Sequence, residues 1–442
     1  MNSFRRVCLA VSVVTVISLI AGLFIGNASI WQPSAVTLSV SLAIGIGAIP
    51  ALRNYQYTAW IITAVVAGMI YPSAFLQWGD FDLRNKWVIL IIIQFVMFGM
   101  GIQMSIRDFT SIASTGKGVL IGLLCHFSIM PLMAVLLTQA FDFDTEIAAG
   151  VILIGSCSSG LASNVMVYIA RANLVLSVTV TALATLVAPF MTPLLMKLFA
   201  GTMIEVKFLE MMMEIIKIMI VPIGAALIHD YLKNAGSRGW RSVQGTALAS
   251  AIILFSMPLG LWQTLSTNSS QEFMQLIETL NFFAGAIIVG LLYHYATLRF
   301  KNLDELMPYI SMFGIVYFTT VTTAAGRDNL LKVGFLLFLS SVIHNAAGYI
   351  FGYYLSRWFG LDKSSSRTVA FEVGLQNGGM ASGIAGSMGK LGTVGLAAAV
   401  FSPWMNISGS ILANYWRRKS LQEEEELRKQ TLCTSQTTSE EL

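Results

Sequence analysis

Phe371-Glu372-Val373-Gly374-Leu375-Gln376-Asn377-Gly378-Gly379-Met380-Ala381-Ser382-Gly383 is the stretch whose reading decides the fold. It lies deep in a chain that otherwise reads as membrane-spanning, yet it holds a carboxylate, two carboxamides and four glycines. An ionisable side chain at membrane depth costs ~2.5–3.5 kcal/mol on insertion scales and by default marks function. The glycines loosen the helix, so backbone carbonyls near Glu372 are free to face a cation. Unwound backbone at that depth is tolerated only where protein or a water-filled cavity covers it. A broken helix with an acid at the break reads as an ion site.

A second interruption lies earlier, at Gly155-Ser156-Cys157-Ser158-Ser159-Gly160-Leu161-Ala162-Ser163-Asn164. Small and oxygen-bearing residues again break an apolar span. Paired interrupted helices in two halves of a membrane chain are the best sequence pointer to a transporter's binding site. The plainer reading is two flexible helices packed through small residues.

Composition sets the class. Of 442 residues, 55% are hydrophobic and 11% are charged, whereas soluble domains carry about 25% charged residues. The chain is therefore an all-α polytopic membrane protein. A net charge of +4, with no basic groove motif or phosphate loop, gives no case for nucleic acid. Cys8, Cys125, Cys157 and Cys433 form no CxxC pair, so neither a disulfide framework nor zinc is indicated. With few histidines and no HExxH, nothing points to an enzyme. Met1–Arg6 and the apolar run after it resemble a signal peptide. The run to Ile25 is long for one and lacks a clear cleavage site, so it reads as a retained helix.

A helix needs ~20 residues to cross the hydrocarbon core. On that basis spans are expected near 7–25, 34–52, 57–75, 87–105, 118–139, 146–170, 174–199, 207–231, 244–264, 278–298, 305–324, 331–356, 367–393 and 394–416, about fourteen in all. Arg5, Arg6, Arg53, Arg171, Arg357, Lys363 and Arg417–Lys419 fall on one face of that count. The positive-inside rule makes this face, with both termini, cytoplasmic in a cell membrane. Arg84, Lys86 and Arg327 are exceptions. Each broken helix belongs to a unit of five spans that ends with the next helix, and an odd number forces the second copy to insert upside down, as an inverted repeat. The expected divisions are an extra helix pair at 1–56, the first repeat with the start of the second at 57–233, an inserted hairpin at 234–303, the remainder of the second repeat at 304–416, and a charged tail at 417–442. Glu423–Glu426 followed by Arg428 and Lys429 allows i,i+4 pairs on a short solvated helix.

Several stretches together resemble the bile acid:sodium symporter family. They are Met97–Ile102, Phe127–Pro131, Ala162–Arg171, Leu176–Thr181, His344-Asn345 before Gly348-Tyr349, Glu372–Asn377 and Trp404–Ser410, in the family's order across roughly Tyr57–Lys419. The resemblance implies a panel domain, a core domain with two crossing discontinuous helices, and two Na+ sites beside the crossing. Around the first it puts Ser163, Asn164, Ser177, Thr181 and Glu372. The chemistry agrees: hard cations take several oxygen ligands, and Ser177 and Thr181, at i,i+4, face the same way on a helix. Taken alone, those two hydroxyls read as helix-packing groups. Opposite Asn164 and Glu372 the ligand reading is preferred.

The second site, by resemblance, uses Glu372, Gln376 and the carbonyls of Val373 and Leu375. The family usually adds a glutamine where this chain has His126. Imidazole is a poor sodium ligand and titrates near neutral pH. The site is then weakened, His126 is replaced by water, or a proton takes the place of one sodium. Substrate, by resemblance, lies near Asn377 and Asn406. Met405 and Leu161 replace a polar and a small residue there, which makes the cavity more apolar. Elsewhere, Glu210, Glu214 and Lys217 read as an internally paired stripe. His229, His294 and His344 read as packing residues, and Lys390 as snorkelling to the interface.

The expected function is sodium-coupled symport of an organic anion, a sterol-derived acid or a small carboxylate, by alternating access. One alternative is a proton-coupled or exporting carrier on the same scaffold. Another is a non-transporting receptor or assembly protein.

Overall fold

The computed structural model describes residues 2–110 and 112–440, and almost all of that backbone is helical. The chain opens with a helical hairpin, α1 (Asn2–Ile25) and α2 (Ala28–Gly45), which leads through 3-10 turns into α3 (Gln56–Ile70). A short β-hairpin, Gln77–Trp78 against Phe81–Asp82, is the one sheet among the described residues. It is followed by α4 (Lys86–Gly101), α5 (Ile106–Thr110), α6 (Ile112–Phe141), α7 (Thr145–Ser156), α8 (Ala162–Ile169) and α9 (Leu174–Ala200). α10 (Phe208–Ile215) continues through a π-turn at Ile216–Ile220 into α11 (Val221–Asn234). α12 (Ser237–Ser256) runs through another π-turn into α13 (Trp262–Asn268). The remaining helices are α14 (Gln271–Arg299), α15 (Leu303–Ala325), α16 (Arg327–Trp358), α17 (Lys363–Gly374), α18 (Gly378–Ser387) and α19 (Leu396–Glu440).

Local chemistry fixes where these helices start. Asn85, Asn173, Ser270, Asp362 and Asn377 each accept a backbone N–H of the following turn through the side chain. This satisfies donors that a helix N-terminus otherwise leaves open. Among the described residues, ten helices are long and apolar enough to cross a membrane. Four of the expected spans, 57–75, 87–105, 146–170 and 367–393, are not among them. The first two form shorter helices, because the chain leaves the helix at Tyr71 and beyond Gly101. The other two are broken in the middle.

The helices pack in two groups. α3, α4, α11, α14 and α15 form one, with the α1–α2 hairpin against α3 and α12 against the outer side of α14. α6, α7, α8, α9, α16, α17 and α19 form the other. The main apolar core lies where they meet. There Ile93 and Met97 of α4, Ile152 of α7, Met380 of α18 and Phe401 of α19 belong to one buried cluster.

Several charged side chains within the bundle are paired. Lys217, in the π-turn, bridges Glu214 at 2.7 Å and reaches Glu278 of α14 at 3.3 Å. Lys390 does not merely reach the interface: it meets Glu146 at 2.5 Å and ties the region after α18 to the start of α7. His229 and His294 do more than pack. Their Nδ1 atoms lie 3.1 Å apart, and Asp304 joins them to Lys233 and Tyr293. The charged tail continues α19 as a helix, while the side-chain pairs expected beyond Glu423 lie outside the described residues.

Candidate cation and substrate site

The two interruptions are Cys157–Leu161 between α7 and α8, and Leu375–Asn377 between α17 and α18. The second is narrower than the glycine content implies. Glycines 374, 378, 379 and 383 remain helical, and Glu372 projects from the last turn of α17 rather than from unwound chain. The two links run against each other. Gly160 N–H donates to the Leu375 carbonyl at 3.0 Å, and Asn377 N–H donates to the Ser158 carbonyl at 2.8 Å. Ser159 and Gln376 thus form an antiparallel bridge. Each break supplies the hydrogen bonds that the other lost, as apolar surroundings demand. Gly160 suits this close approach, because a Cβ would sit a tight 3.0 Å from the Gln376 carbonyl oxygen.

Beside the bridge, α8, α9 and α17 place their polar side chains together. Ser177 Oγ lies 2.5 Å from Glu372 Oε1 and 2.7 Å from Asn164 Oδ1. Thr181 Oγ1 lies 2.8 Å from Glu372 Oε2 and 3.2 Å from the same Asn164 oxygen. Ser163 Oγ is 3.4 Å from Thr181 Oγ1 and donates to the Gly160 carbonyl at 2.8 Å. Glu372, Ser163, Ser177 and Thr181 are fully buried.

Counting hydrogens shows what this cluster lacks. A hydroxyl has one hydrogen to donate, while an amide oxygen and a carboxylate only accept. Ser177 and Thr181 each face two acceptors, so at each one a close oxygen–oxygen approach has no hydrogen in it. Glu372 has hydroxyl partners and, among the described residues, no cationic side chain beside it. A buried carboxylate without a counter-charge is costly. Among the described residues no three His, Cys, Asp or Glu side chains converge on a metal site. One carboxylate and several neutral oxygens make a donor set for a hard cation of low charge. The C-terminal ends of α7 and α17, with their carbonyl-rich partial negative charge, add to that preference.

On the other side of the bridge lies a cavity of about 300 Å³. Leu161, Gln376, Asn377, Met405 and Asn406 line it from the breaks and α19, facing Gln103 just past α4 and Pro308 of α15. Among the described residues its wall carries no charged side chain. The N-terminal ends of α8 and α18 begin here, and such ends favour an anion. Asn377 Oδ1 caps α18 through Met380 N–H at 3.0 Å, while its buried Nδ2 has no partner among the described residues. Asn406 Nδ2 is bonded to the Ser402 carbonyl at 2.9 Å. Met405 Sδ accepts the Gln376 N–H at 3.3 Å.

The cavity occupies only one side of the crossing. It separates α8 from α15, whereas α18 is packed directly on α4: a Cβ on Gly383 would lie 2.7 Å from Ile93 Cγ1.

The second set of expected ligands is differently engaged. His126 Nδ1 lies 2.9 Å from the Glu372 carbonyl and Nε2 lies 2.8 Å from the Cys157 carbonyl. The ring therefore spans the two breaks and does not meet the Gln376 side chain. Gln376 Nε2 donates to the Val373 carbonyl at 2.7 Å, and the Leu375 carbonyl is used in the bridge. Sequence reasoning missed the Gly160 and Cys157 carbonyls and the Ser159 hydroxyl, which lies 3.2 Å from Ser163 Oγ. The Ser/Gly run signals a break, but which backbone oxygens converge is decided by the other half of the chain.

A model of the Sodium Bile acid symporter family matches residues 88–236. The uncharacterized sodium-dependent transporter YocS of Bacillus subtilis (strain 168) is 30% identical over 361 residues, which span 81% of this chain and 90% of that protein. The chain belongs to the bile acid:sodium symporter family. The human ileal sodium/bile acid cotransporter is 28% identical over 291 residues, 66% of each chain. Among solved structures, the sodium proton antiporter MjNhaP1 from Methanocaldococcus jannaschii gives a TM-score of 0.43 at 12% identity, covering 95% of this chain and 99% of its own. As a member of the bile acid:sodium symporter family, the chain is a multi-pass, sodium-coupled secondary transporter and not an enzyme.

Proposed function

We propose that this protein couples the movement of one sodium ion to uptake of a small organic anion by alternating access. The observation that carries the reading is the hydrogen-poor oxygen cage of Glu372, Asn164, Ser177 and Thr181, set directly behind the cavity. Sodium in that cage, with Ser163 beside it, neutralises the buried carboxylate. The freed helix N-termini and Asn377 Nδ2 then receive the substrate's anionic group, and Leu161 and Met405 cover its apolar body. A volume of about 300 Å³ is at the low end of small-molecule pockets, which favours a small carboxylate over a sterol acid. The second set of ligands is engaged within the protein, Gln376 on the Val373 carbonyl and the Leu375 carbonyl in the bridge, so the coupling ratio is one sodium rather than two.

In the same reading, the chain inserts with fourteen crossings, the four half-length or broken ones included, and both termini are cytoplasmic. The α3–α4–α11–α15 group is the panel and the α6–α9 and α16–α19 group is the core, as two inverted repeats. The cavity then opens to the cytoplasm. Return to the outside requires α18 to leave α4 and α8 to close on α15.

The test is uptake of labelled short-chain acids into proteoliposomes under an inward sodium gradient, with potassium as control. Sodium-driven accumulation is the expected result. Accumulation driven by a pH gradient without sodium would replace the coupling ion, and no accumulation with any acid would overturn transport.

A further inference from the structure

At the end of the bundle that carries Lys363 and Arg417–Lys419, a cavity of about 420 Å³ lies between α16, α17 and α19. It has no part in the cation cage or the substrate cavity. Among the described residues its polar wall is Lys363, Arg367 and Lys419, with Glu423 as the one carboxylate. Its other wall is aromatic: Tyr353, Tyr354, Tyr415 and Trp416. We propose that this cavity binds the phosphate headgroup of an anionic phospholipid.

Charge comes first. Arg367 Nη2 meets both Glu423 oxygens, at 3.0 and 3.1 Å, and Lys363 Nζ lies 3.4 Å from one of them. Among the described residues, one carboxylate against three cations leaves the cavity wall two charges positive. Lys419 Nζ lies 5.0 Å from the centre of the Tyr415 ring. Among the described residues it has no carboxylate within salt-bridge distance, and the buried Arg367 Nε has no acceptor. Phosphate offers acceptor oxygens in the number these donors lack.

Position then identifies the source of the phosphate. Tyr and Trp collect at the membrane–water boundary, and basic pockets between helices at that level bind lipid headgroups. Exposed apolar side chains lead away from the cavity along both flanking helices. These are Ile350 and Phe351 on α16 and Ile411 on α19, each about half exposed. They give the acyl chains a surface to follow, which a free phosphate or nucleotide would not use.

The pocket also reaches the transport machinery. Arg367 Nη1 donates to Ser420 Oγ at 2.7 Å, and Ser420 Oγ donates to the Ala170 carbonyl at 3.1 Å, just past α8. Arg367 and Glu372 share α17. A headgroup held here fastens the extension of α19 to the cytoplasmic halves of both broken helices.

The test uses the full chain in detergent micelles containing phosphatidylglycerol or phosphatidylcholine, read by native mass spectrometry and by melting temperature. Phosphatidylglycerol is expected to be retained and to raise the melting temperature over phosphatidylcholine. Lys363 and Lys419 are solvent-facing, so Lys363→Gln with Lys419→Gln leaves the fold intact. At about 1 kcal/mol per basic residue, the pair is expected to weaken phosphatidylglycerol binding roughly thirtyfold. Lys363→Arg with Lys419→Arg is expected to retain it. Equal binding of the two lipids, or undiminished binding by the glutamine pair, overturns the site. An equal thermal shift with inorganic phosphate alone overturns the lipid assignment. Sodium-driven uptake is measured separately, so failure here and failure of the transport reading are distinguishable.

Discussion

Replacing Glu372 by Gln keeps the shape of the side chain and removes its charge. In the cage the carboxylate oxygens lie 2.5 and 2.8 Å from two of the other proposed ligands, so a cation bound among them is within 4 Å of the charge. At that distance, with an effective dielectric near 20, one unit charge contributes about 4 kcal/mol, or roughly a thousandfold in affinity. The consequence is visible in stability. Sodium at a hundred times its Kd stabilises the wild type by about 2.7 kcal/mol, whereas a Kd a thousandfold higher leaves less than about 0.1 kcal/mol. Without sodium the order is expected to reverse, with Glu372→Gln at least as stable as wild type, because the wild type then buries a carboxylate without a counter-ion. The assay is thermal unfolding in sodium against potassium chloride at equal ionic strength, together with calorimetric titration of sodium. A sodium-dependent shift retained in Glu372→Gln would refute the cage.

Other outcomes follow from neighbouring geometry. His126→Gln frees the Glu372 and Cys157 carbonyls from the ring and returns an amide to the second ligand set; the Hill coefficient for sodium in uptake is expected to rise from near one towards two, and an unchanged value counts against the idea. Gly383→Val pushes a branched side chain into Ile93, already 2.7 Å from a built Cβ. Overpacking of this kind costs about 1–3 kcal/mol, so the packed arrangement of α18 on α4 loses population. Thiol labelling with an impermeant reagent is expected to increase at Asn329→Cys, near the start of α16 beside the Gly392 carbonyl on the closed side, and fall at Val165→Cys in the wall of the cavity. Asp362→Ala removes the side-chain cap on Ser365 N–H at 2.9 Å and is expected to lower stability by about 1 kcal/mol, read as a drop in melting temperature. Burial pushes the Asp362 carboxyl up, but the Ser365 hydrogen bonds outweigh it and hold the group below its ordinary value. Its contribution is therefore present above the unfolded carboxyl value and lost as pH falls through the folded one, and Asp362→Ala is expected to lack that acid sensitivity.

Much of the site was legible because polar residues stand out against an apolar chain. Glu372, Asn164, Ser177 and Thr181 are conspicuous for that reason, and the structure brings both hydroxyls within hydrogen-bond distance of both Asn164 and Glu372. The extent of the second break was less legible. Glycine permits unwinding without requiring it, and tertiary packing on Ile89, Ile93 and Ser402 keeps Gly378–Gly386 helical. The partners of His126 were not legible, because they are carbonyls of Cys157 and Glu372, and a carbonyl carries no mark of residue type. Glu278 illustrates the same limit: nothing in the sequence joins it to Lys217 until the fold places α14 beside the π-turn.

The Ser159–Gln376 bridge has a consequence for biosynthesis. The ribosome releases the first discontinuous segment some two hundred residues before its complement exists. Until then the Gly160 amide and the Ser158 carbonyl sit in or near lipid with nothing to bond to, at several kcal/mol apiece. A nascent chain cut short before α17 would carry that defect permanently, a mark by which quality-control proteases can tell an unfinished transporter from a finished one.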